Sequence, residues 1–239
     1  MSTFVLVHGA GHGRWCWHKL IPQLERDGHR VIAVDLPGLG QDNTPPSEVG
    51  LDDFANRIEN AIHDVDDDVV LVGHSLGGIA LSAVAERSPE RISHLVYLTA
   101  YLVPANKSLS EFQSEDERLA SLGDEKRTKD LDRGVVVMND SAIREYYYNE
   151  CAEEDISLAK LLMRPTPIGP TTDPIVTTEK NFGSIPRTYI KCSKDKAIPP
   201  FFQSKMCRMT TCEEVHTLDA DHSPFYSATD ELAGILTEK

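Results

Sequence analysis

A serine between glycines is the residue whose surroundings predict chemistry most clearly. Ser75 lies in the segment Gly-His-Ser-Leu-Gly-Gly at 73–78, after an apolar run at 69–72 and before a helical pattern rich in small residues. Such a strand–turn–helix places the serine hydroxyl above a sheet, and the glycines leave room for the sharp turn. The helix beginning at Leu76 directs its dipole and its free N–H groups at the same point. The pattern predicts that Ser75 is a nucleophile in acyl transfer; the alternative is a purely structural glycine turn.

A second glycine-rich loop follows the first apolar run of the chain. Residues 7–13 read Val-His-Gly-Ala-Gly-His-Gly. An acyl-transfer site stabilises the oxyanion with two backbone N–H groups, one from the residue after the nucleophile and one from a loop of this kind. We assign Leu76 and Ala10 as these donors, and we expect Gly9 and Gly11 to border the substrate pocket.

The same loop could open a dinucleotide-binding motif. Gly9 and Gly11 follow a strand, and Asp35 ends the next strand at a suitable distance for a ribose contact. The third glycine of that motif is replaced by Arg14, and the bulky segment 14–17 could not seat a pyrophosphate against a helix. A dinucleotide cofactor is therefore not expected.

The base that activates the serine should follow it in sequence, after an acidic residue. Of nine histidines, only His216 and His222 lie beyond the segment 101–181, whose pattern differs from the rest of the chain. His216 falls inside a strand-like run, whereas His222 lies in the loop after it. Because sites gather at the carboxyl ends of parallel strands, we assign His222 as the base.

The acid that orients the imidazole should also lie in a loop after a strand. Asp195 occupies the turn that follows the strand pattern at 186–192. Asp219 and Asp221 are close to His222 in sequence, but close neighbours rarely reach the imidazole nitrogen that faces away from the serine. We assign Asp195 as the acid, with Asp219 and Asp221 as alternatives.

Composition excludes several classes of protein. The 239 residues are 40% hydrophobic and 26% charged, which is typical of a globular domain. The net charge of −14 disfavours nucleic acid and membrane partners. The absence of a secretory leader and the five cysteines without a Cys-x-x-Cys pair favour a cytoplasmic protein. No metal is expected, because His8, His12 and His18 lack acidic or cysteine partners at ligand spacing.

The elements that position these residues alternate between short apolar runs and helical patterns, as in a parallel sheet covered on both faces. Strands are predicted at 3–8, 30–35, 69–74, 92–99, 186–192 and 212–218. Helices are predicted at 17–27, 51–64, 76–87, 199–209 and 230–239. We predict a single domain, 1–239, of α/β class with a six-stranded, mostly parallel sheet. Its core comprises 1–100 and 182–239, and a helical cap without strand rhythm is inserted at 101–181.

Several motifs resemble the plant-type methyl esterase and hydroxynitrile lyase group of α/β-hydrolases, together with bacterial carboxylesterase relatives. These motifs include Phe4-Val5-Leu6-Val7-His8-Gly9, Trp15-x-Trp17, Asp35-Leu36, the glycine–serine segment at 73–78, Leu158-Ala159-Lys160-Leu161-Leu162 and Asp221-His222. The resemblance implies an α/β-hydrolase fold, a cap over the pocket, the same three catalytic residues and no metal or organic cofactor. The cap matches poorly outside 158–162, so the substrate does not carry over.

The expected activity is that of a serine carboxylesterase acting on a small, largely apolar ester, such as a methyl or aryl ester, through an acyl-enzyme on Ser75. The expected partner is the ester substrate. The sequence leaves open whether the protein forms a homodimer. Phe112, Tyr147 and Leu162 are expected to line the pocket from the cap, although such residues also form cap cores.

Two other functions use the same residues. A small-molecule sensor would bind an ester and turn it over slowly. A hydroxynitrile lyase of the resembled group would carry threonine or asparagine at position 9, and in one branch a lysine at position 223. Gly9 and Ser223 provide neither side chain, which favours hydrolysis.

Overall fold

The computed structural model describes residues 2–120 and 126–239 of the chain. The described strands are β1 (Ser2–Val7), β2 (Arg30–Val34), β3 (Asp68–His74), β4 (His94–Leu98), β5 (Arg127–Asp130), β6 (Val135–Met138), β7 (Thr166–Pro167), β8 (Arg187–Cys192) and β9 (Glu214–Leu218). Six of them form one sheet in the order β2-β1-β3-β4-β8-β9, and every pairing in that sheet is parallel. The predicted six-stranded sheet is confirmed.

Burial on both faces explains why the central strands are almost continuously apolar. Along β1, Phe4 packs on one side of the sheet and Val5 on the other, and both side chains are fully buried. Successive residues of a strand point to opposite faces, so a strand covered on both sides needs apolar residues at every position. The carboxyl ends of β3, β8 and β9 therefore meet at one edge of a rigid sheet.

Helices cover both faces of the sheet. The described α-helices of core and cap are α1 (Ile21–Arg26), α2 (Leu51–Ile62), α3 (Gly77–Arg87), α4 (Leu109–Ser114), α5 (Glu117–Ala120), α6 (Asp140–Ala142), α7 (Glu153–Leu162), α8 (Gly169–Thr172), α9 (Pro200–Met209), α10 (Pro224–Ser227) and α11 (Thr229–Thr237). The apolar faces of α2, α3 and α9 pack on one side of the sheet, and those of α1 and α11 on the other. Among the described residues, no helix combines the length and the apolar character that crossing a bilayer requires.

The cap differs from the prediction, because it contains a small sheet as well as helices. Strands β5, β6 and β7 pair antiparallel, and β5 and β6 are joined by a turn at Gly134 with a φ of 65°. The sequence of β5, Arg-Thr-Lys-Asp, has no apolar alternation, and β7 has two residues, so neither produces a recognisable strand pattern. Part of the predicted cap, 121–125, lies outside the described residues.

Candidate active site

Ser75 lies at the turn between β3 and α3, in a backbone conformation that few residues adopt. Its φ is 51°, and its carbonyl oxygen accepts hydrogen bonds from the N–H groups of Gly78 and Tyr101. The turn presses α3 against β1: a β-carbon on Gly77 would lie 2.7 Å from the carbonyl oxygen of Val7. Glycine is therefore required at 77 for this turn, and the turn holds Ser75 above the sheet edge.

His222 and Asp195 meet Ser75 from two other loops. The Nε2 atom of His222, in the loop after β9, lies 2.9 Å from Ser75 Oγ. Its Nδ1 atom lies 2.7 Å from Oδ2 of Asp195, in the loop after β8. Ser75 is 7% exposed, His222 1% and Asp195 2%, so solvent competes little for these bonds. With Nδ1–H donating to Asp195, Nε2 is free to accept the serine proton.

The Asp195 carboxylate is fixed by more than the imidazole. Its Oδ1 accepts hydrogen bonds from the N–H groups of Ala197, at 2.7 Å, and Ile198, at 2.8 Å. Its Oδ2 also accepts one from Oγ1 of Thr99, at 2.5 Å. Thr99 follows β4 with a φ of 36°, which turns its hydroxyl towards the carboxylate. The sequence analysis did not identify Thr99, and the available signal was its position as the last residue of the predicted strand 92–99.

The alternative base and one alternative acid lie away from Ser75. His216 is on the edge strand β9, where its Nε2 atom lies 3.1 Å from the Glu214 carboxylate. Asp219 is paired on the surface with Lys194, at 3.0 Å. Neither group takes part in the hydrogen bonds between Ser75, His222 and Asp195.

Asp221, the other alternative acid, joins the cap to the loop of His222. Its Oδ2 accepts hydrogen bonds from the Glu150 N–H, at 2.8 Å, and from the Cys151 thiol, at 3.3 Å. Its Oδ1 accepts from the Ser223 N–H, at 2.9 Å, and from the Ser227 hydroxyl, at 2.7 Å. This buried carboxylate is fully used as a connection between cap and core, and it does not contact the imidazole of His222.

The loop after β1 exposes N–H groups next to the serine. Ala10 and Leu76 both border the same cavity as Ser75. His8 and His12 donate from Nδ1 to the carbonyl oxygens of Gly9, at 2.9 Å, and Ala10, at 2.8 Å. Within the described part of the chain, neither the Ala10 N–H nor the Leu76 N–H donates a hydrogen bond. The two N–H groups assigned to the oxyanion are thus available to a bound carbonyl oxygen.

Three buried histidines near the site are held in the neutral form. Burial lowers the pKa of His8 to about 4 and that of His12 to about 3. Burial also lowers the pKa of His74 well below its ordinary value. The Nε2 atom of His12 accepts a hydrogen bond from the Tyr148 hydroxyl, at 2.7 Å, and His74 Nε2 donates to the carbonyl oxygen of His222, at 2.7 Å. These rings support the loops of the site and add no charge to it.

A cavity of about 550 Å³ opens above Ser75 and His222. Tyr147, one of the predicted lining residues, contributes to its wall, and its ring meets that of His222 edge-on at 5.5 Å. Cap residues including Leu109, Gln113, Arg127 and Val136 form much of the remaining wall. The size suits a small organic molecule.

The other predicted pocket residues lie outside the cavity wall. Phe112 is fully buried and packs against the ring of Phe202, at 5.1 Å, so it belongs to the core. Leu162 ends α7 and is 40% exposed. A β-carbon on Gly9 would meet Ser75 Cβ at 2.7 Å, and one on Gly11 would meet Met163 Cε at 3.2 Å, so both positions face packed protein.

A serine at a strand–turn–helix, hydrogen-bonded to a histidine–carboxylate pair above a parallel sheet, is the arrangement of the α/β-hydrolase class. The family model described as "Alpha/beta hydrolase family" matches residues 4–235. Methylesterase 9 from Arabidopsis thaliana is 36% identical over 253 residues, covering 99% of this chain and 97% of its own length. The chain therefore belongs to the alpha/beta hydrolase family and, within it, to the methylesterase group.

Two further comparisons concern a solved structure with a similar fold and a relative that is longer than this chain. A solved structure of a pyrethroid hydrolase from Sphingobium faniae has a TM-score of 0.90 at 25% identity, covering 99% of this chain and 96% of that one. Another Arabidopsis thaliana relative, named as methylesterase 15 of the chloroplast, is 33% identical over 251 residues; it matches 99% of this chain, which spans 56% of that relative's length. The names of these relatives support the expected class, a carboxylesterase that hydrolyses ester bonds.

Proposed function

We propose that the protein is a serine carboxylesterase that hydrolyses a small carboxylic ester through an acyl-enzyme on Ser75. The observation that carries the proposal is the pair of hydrogen bonds linking Ser75 Oγ to His222 Nε2, at 2.9 Å, and His222 Nδ1 to Asp195, at 2.7 Å. Both Ser75 and His222 border the cavity, so a bound ester carbonyl can reach the hydroxyl.

The reaction follows from this geometry. Ser75 Oγ attacks the carbonyl carbon while its proton passes to His222 Nε2, and the carbonyl oxygen, now negative, accepts hydrogen bonds from the N–H groups of Ala10 and Leu76. His222 then gives the proton to the departing alcohol, which leaves an acyl group on Ser75. Water, deprotonated by the same imidazole, attacks the acyl carbon and releases the carboxylic acid. Asp195 holds the imidazole in the required tautomer throughout.

The cavity wall supports a small substrate with an apolar portion. Leu109, Leu119, Val136 and Ile198 border it together with Tyr147. Methyl and aryl esters remain the proposed class, in keeping with relatives named as methylesterases and a structural neighbour named as a pyrethroid hydrolase. The cytoplasm remains the proposed compartment, because all five cysteines are free thiols.

Neither alternative function is favoured by a feature of the site. A lyase side chain at position 9 would meet Ser75 Cβ at 2.7 Å, and the residue after His222 is the uncharged Ser223. A sensor would need the same hydrogen bonds without turnover. Cyanide release from mandelonitrile outpacing all ester cleavage would favour the lyase, and single-turnover chemistry would favour the sensor.

The test combines labelling with one substitution. A fluorophosphonate should modify Ser75 and none of the cysteines, and Ser75→Ala should lower kcat on methyl and aryl esters by ~10⁶ while the fold is retained. Ser82→Ala is the matched control, because Ser82 lies on α3 outside the cavity wall. Mass spectrometry locates the label. A modified cysteine, or near-normal activity of Ser75→Ala, would contradict the proposal.

A further inference from the structure

The cavity has a positively charged side in a protein with a large negative charge. The chain carries 38 acidic and 24 basic residues, without counting histidine. Among the described residues that border the cavity, three are cationic, Lys126, Arg127 and Lys129, and none is aspartate or glutamate. An apolar ester needs no such wall, so the three cations require another explanation.

Arg127 is the cation best placed to bind a ligand. It is half-buried at the start of β5, and its Nη2 atom donates to Oε1 of Gln113, at 3.1 Å. Gln113 Nε2 in turn donates to the hydroxyl of Tyr101, at 2.7 Å. The guanidinium is thus held by the neutral amide of Gln113, which Tyr101 fixes in turn, and no carboxylate within 2–120 or 126–239 forms an ion pair with it. Most of its five N–H groups are left for a ligand.

The neighbouring lysines add charge without occupying the same place. Lys126 is buried, and its Nζ atom donates to the carbonyl oxygens of Lys196, at 2.7 Å, and Ala197, at 3.3 Å. Lys129 is exposed, two residues further along β5. A ligand at Arg127 would therefore make its direct contacts with the guanidinium, on a wall to which both lysines also contribute.

Arg127 also acts on groups next to the reacting atoms. Burial raises the pKa of Tyr147, and the charge of Arg127 opposes that rise. The Tyr147 ring lies 5.5 Å from that of His222. The positive charge therefore extends to the end of the cavity at which the ester would react.

We propose that the preferred substrate is an ester carrying a second, ionised carboxylate, as in the half-ester of a dicarboxylic acid. The ester carbonyl lies at Ser75, the apolar chain spans the cavity, and the free carboxylate accepts hydrogen bonds from Arg127. A planar guanidinium matches one carboxylate with two parallel bonds. This inference rests on the proposed function and adds the substrate class; hydrolysis adds water, forms the dicarboxylate and releases the alcohol.

The experiment compares monomethyl esters of linear dicarboxylic acids with neutral methyl alkanoates of the same chain length. The wild-type protein should prefer the charged series in kcat/KM, and the preference should fall with added salt. Arg127→Gln should lower the charged-to-neutral ratio by about tenfold or more, mainly through KM. Arg127→Lys should recover part of the ratio. Arg26→Gln, an exposed arginine on α1 with the same change in net charge, should not change it.

A second measurement needs no variant. An unreactive analogue, the monomethylamide of a dicarboxylic acid, should inhibit hydrolysis of a neutral aryl ester more strongly than the N-methyl alkanamide of equal length. Equal inhibition, or a ratio that Arg127→Gln leaves unchanged, overturns the inference while Ser75-dependent ester hydrolysis stands. If Ser75 is not labelled and neither ester series is cleaved, the proposed function itself has failed.

Discussion

The edge of the large sheet and the cap differ in how completely their polar groups are used. At the sheet edge, the carboxylate of Asp195 accepts four hydrogen bonds and His222 is 1% exposed. In the cap, Arg127 is half-buried and Lys129 is exposed. The sheet edge is built to hold one arrangement of atoms, whereas the cap wall presents groups to a ligand. We therefore expect the chemistry to depend on the core and the choice of substrate to depend on the insertion.

Backbone strain also differs between the sheet edge and the cap. Ser75 and Thr99, both at the carboxyl ends of core strands, have φ values of 51° and 36°. Each costs on the order of 1–3 kcal/mol, which only a densely packed environment can hold in place. Within the described part of the cap, Asn106 is the single non-glycine residue with a positive φ, and it lies outside the cavity wall.

After the loss expected for Ser75→Ala, the largest effect tests whether Asp195 alone orients the imidazole. Asp195→Asn should lower kcat by roughly 10⁴ for charged and neutral esters alike, because the amide favours the wrong tautomer of His222. Asp219→Asn is the matched control, since Asp219 pairs only with surface groups. Steady-state kinetics of both variants give the comparison. A larger loss in Asp219→Asn would show that the acid is misassigned.

Asp221→Asn is a third member of this series. It should weaken the connection between Glu150 and the loop of His222. The melting temperature should therefore fall, whereas kcat should fall much less than in Asp195→Asn. A loss of kcat equal to that of Asp195→Asn, in a protein of unchanged melting temperature, would reassign the acid to Asp221.

The next effect separates cap residues that support the fold from those on the surface. Phe112→Ala should lower the free energy of unfolding by about 3–5 kcal/mol, because it leaves a cavity in the core beside Phe202. Leu162→Ala should change it by less than about 0.5 kcal/mol, because Leu162 is 40% exposed. Urea unfolding measures both. Similar values for the two variants would contradict the buried position of Phe112.

The pH dependence of stability is a smaller effect per group than that of Phe112→Ala. The lowered pKa values of His8, about 4, and His12, about 3, and the lowered pKa of His74 mean that the unfolded chain binds protons first as the pH falls below about 6.5. Stability is complete above that pH and falls by about 1.4 kcal/mol per pH unit for each histidine protonated only when unfolded. Three such groups give a slope of up to about 4 kcal/mol per pH unit.

Asp116, in the cap, should contribute nothing in that range. The Arg118 side chain, hydrogen-bonded to Asp116, lowers the pKa of that carboxyl to about 2, so its stabilisation is lost only in stronger acid. Unfolding free energies between about pH 7.5 and 5 should therefore follow these three histidines and His94, whose pKa is also lowered by burial. His12→Gln should reduce the slope by about 1.4 kcal/mol per pH unit, the contribution of one proton. If the free energy of unfolding of the wild-type protein did not change with pH in this range, these histidines would not be neutral in the folded state.

The sequence predicted the core well because the relevant signals are local. Ser75, His222 and Asp195 each follow a strand that is recognisable on its own, and the structure brings them within hydrogen-bond distance. Thr99 could not be assigned, because its partner Asp195 is 96 positions away and no pattern links them. A buried aromatic such as Phe112 has the same sequence pattern in a core as in a pocket.

The cap was predicted less well for a different physical reason. Its strands are short, β5 is charged, and all three are defined by pairing: Arg127 lies opposite Met138, and Val136 opposite Thr166. Pairing between segments this short leaves no period in the sequence. The cationic wall could not be predicted either, because Lys126, Arg127 and Lys129 have the sequence pattern of an exposed charged stretch, and only the fold brings them to the cavity that Ser75 borders.

The bonds to Asp221 determine which part of the cap can move when a substrate enters. They fasten Glu150 and Cys151 to the loop of His222, and Asp155 pairs with Lys19 of the core at 2.7 Å. The later half of the cap is thus anchored, and widening the cavity there would break several buried bonds at once. We expect the ester and its products to pass along β5 and β6, because Phe112 holds α4 in the core beside Phe202. A substrate would then meet Arg127 on its way to Ser75, so binding of its charged end and admission to the cavity become a single event.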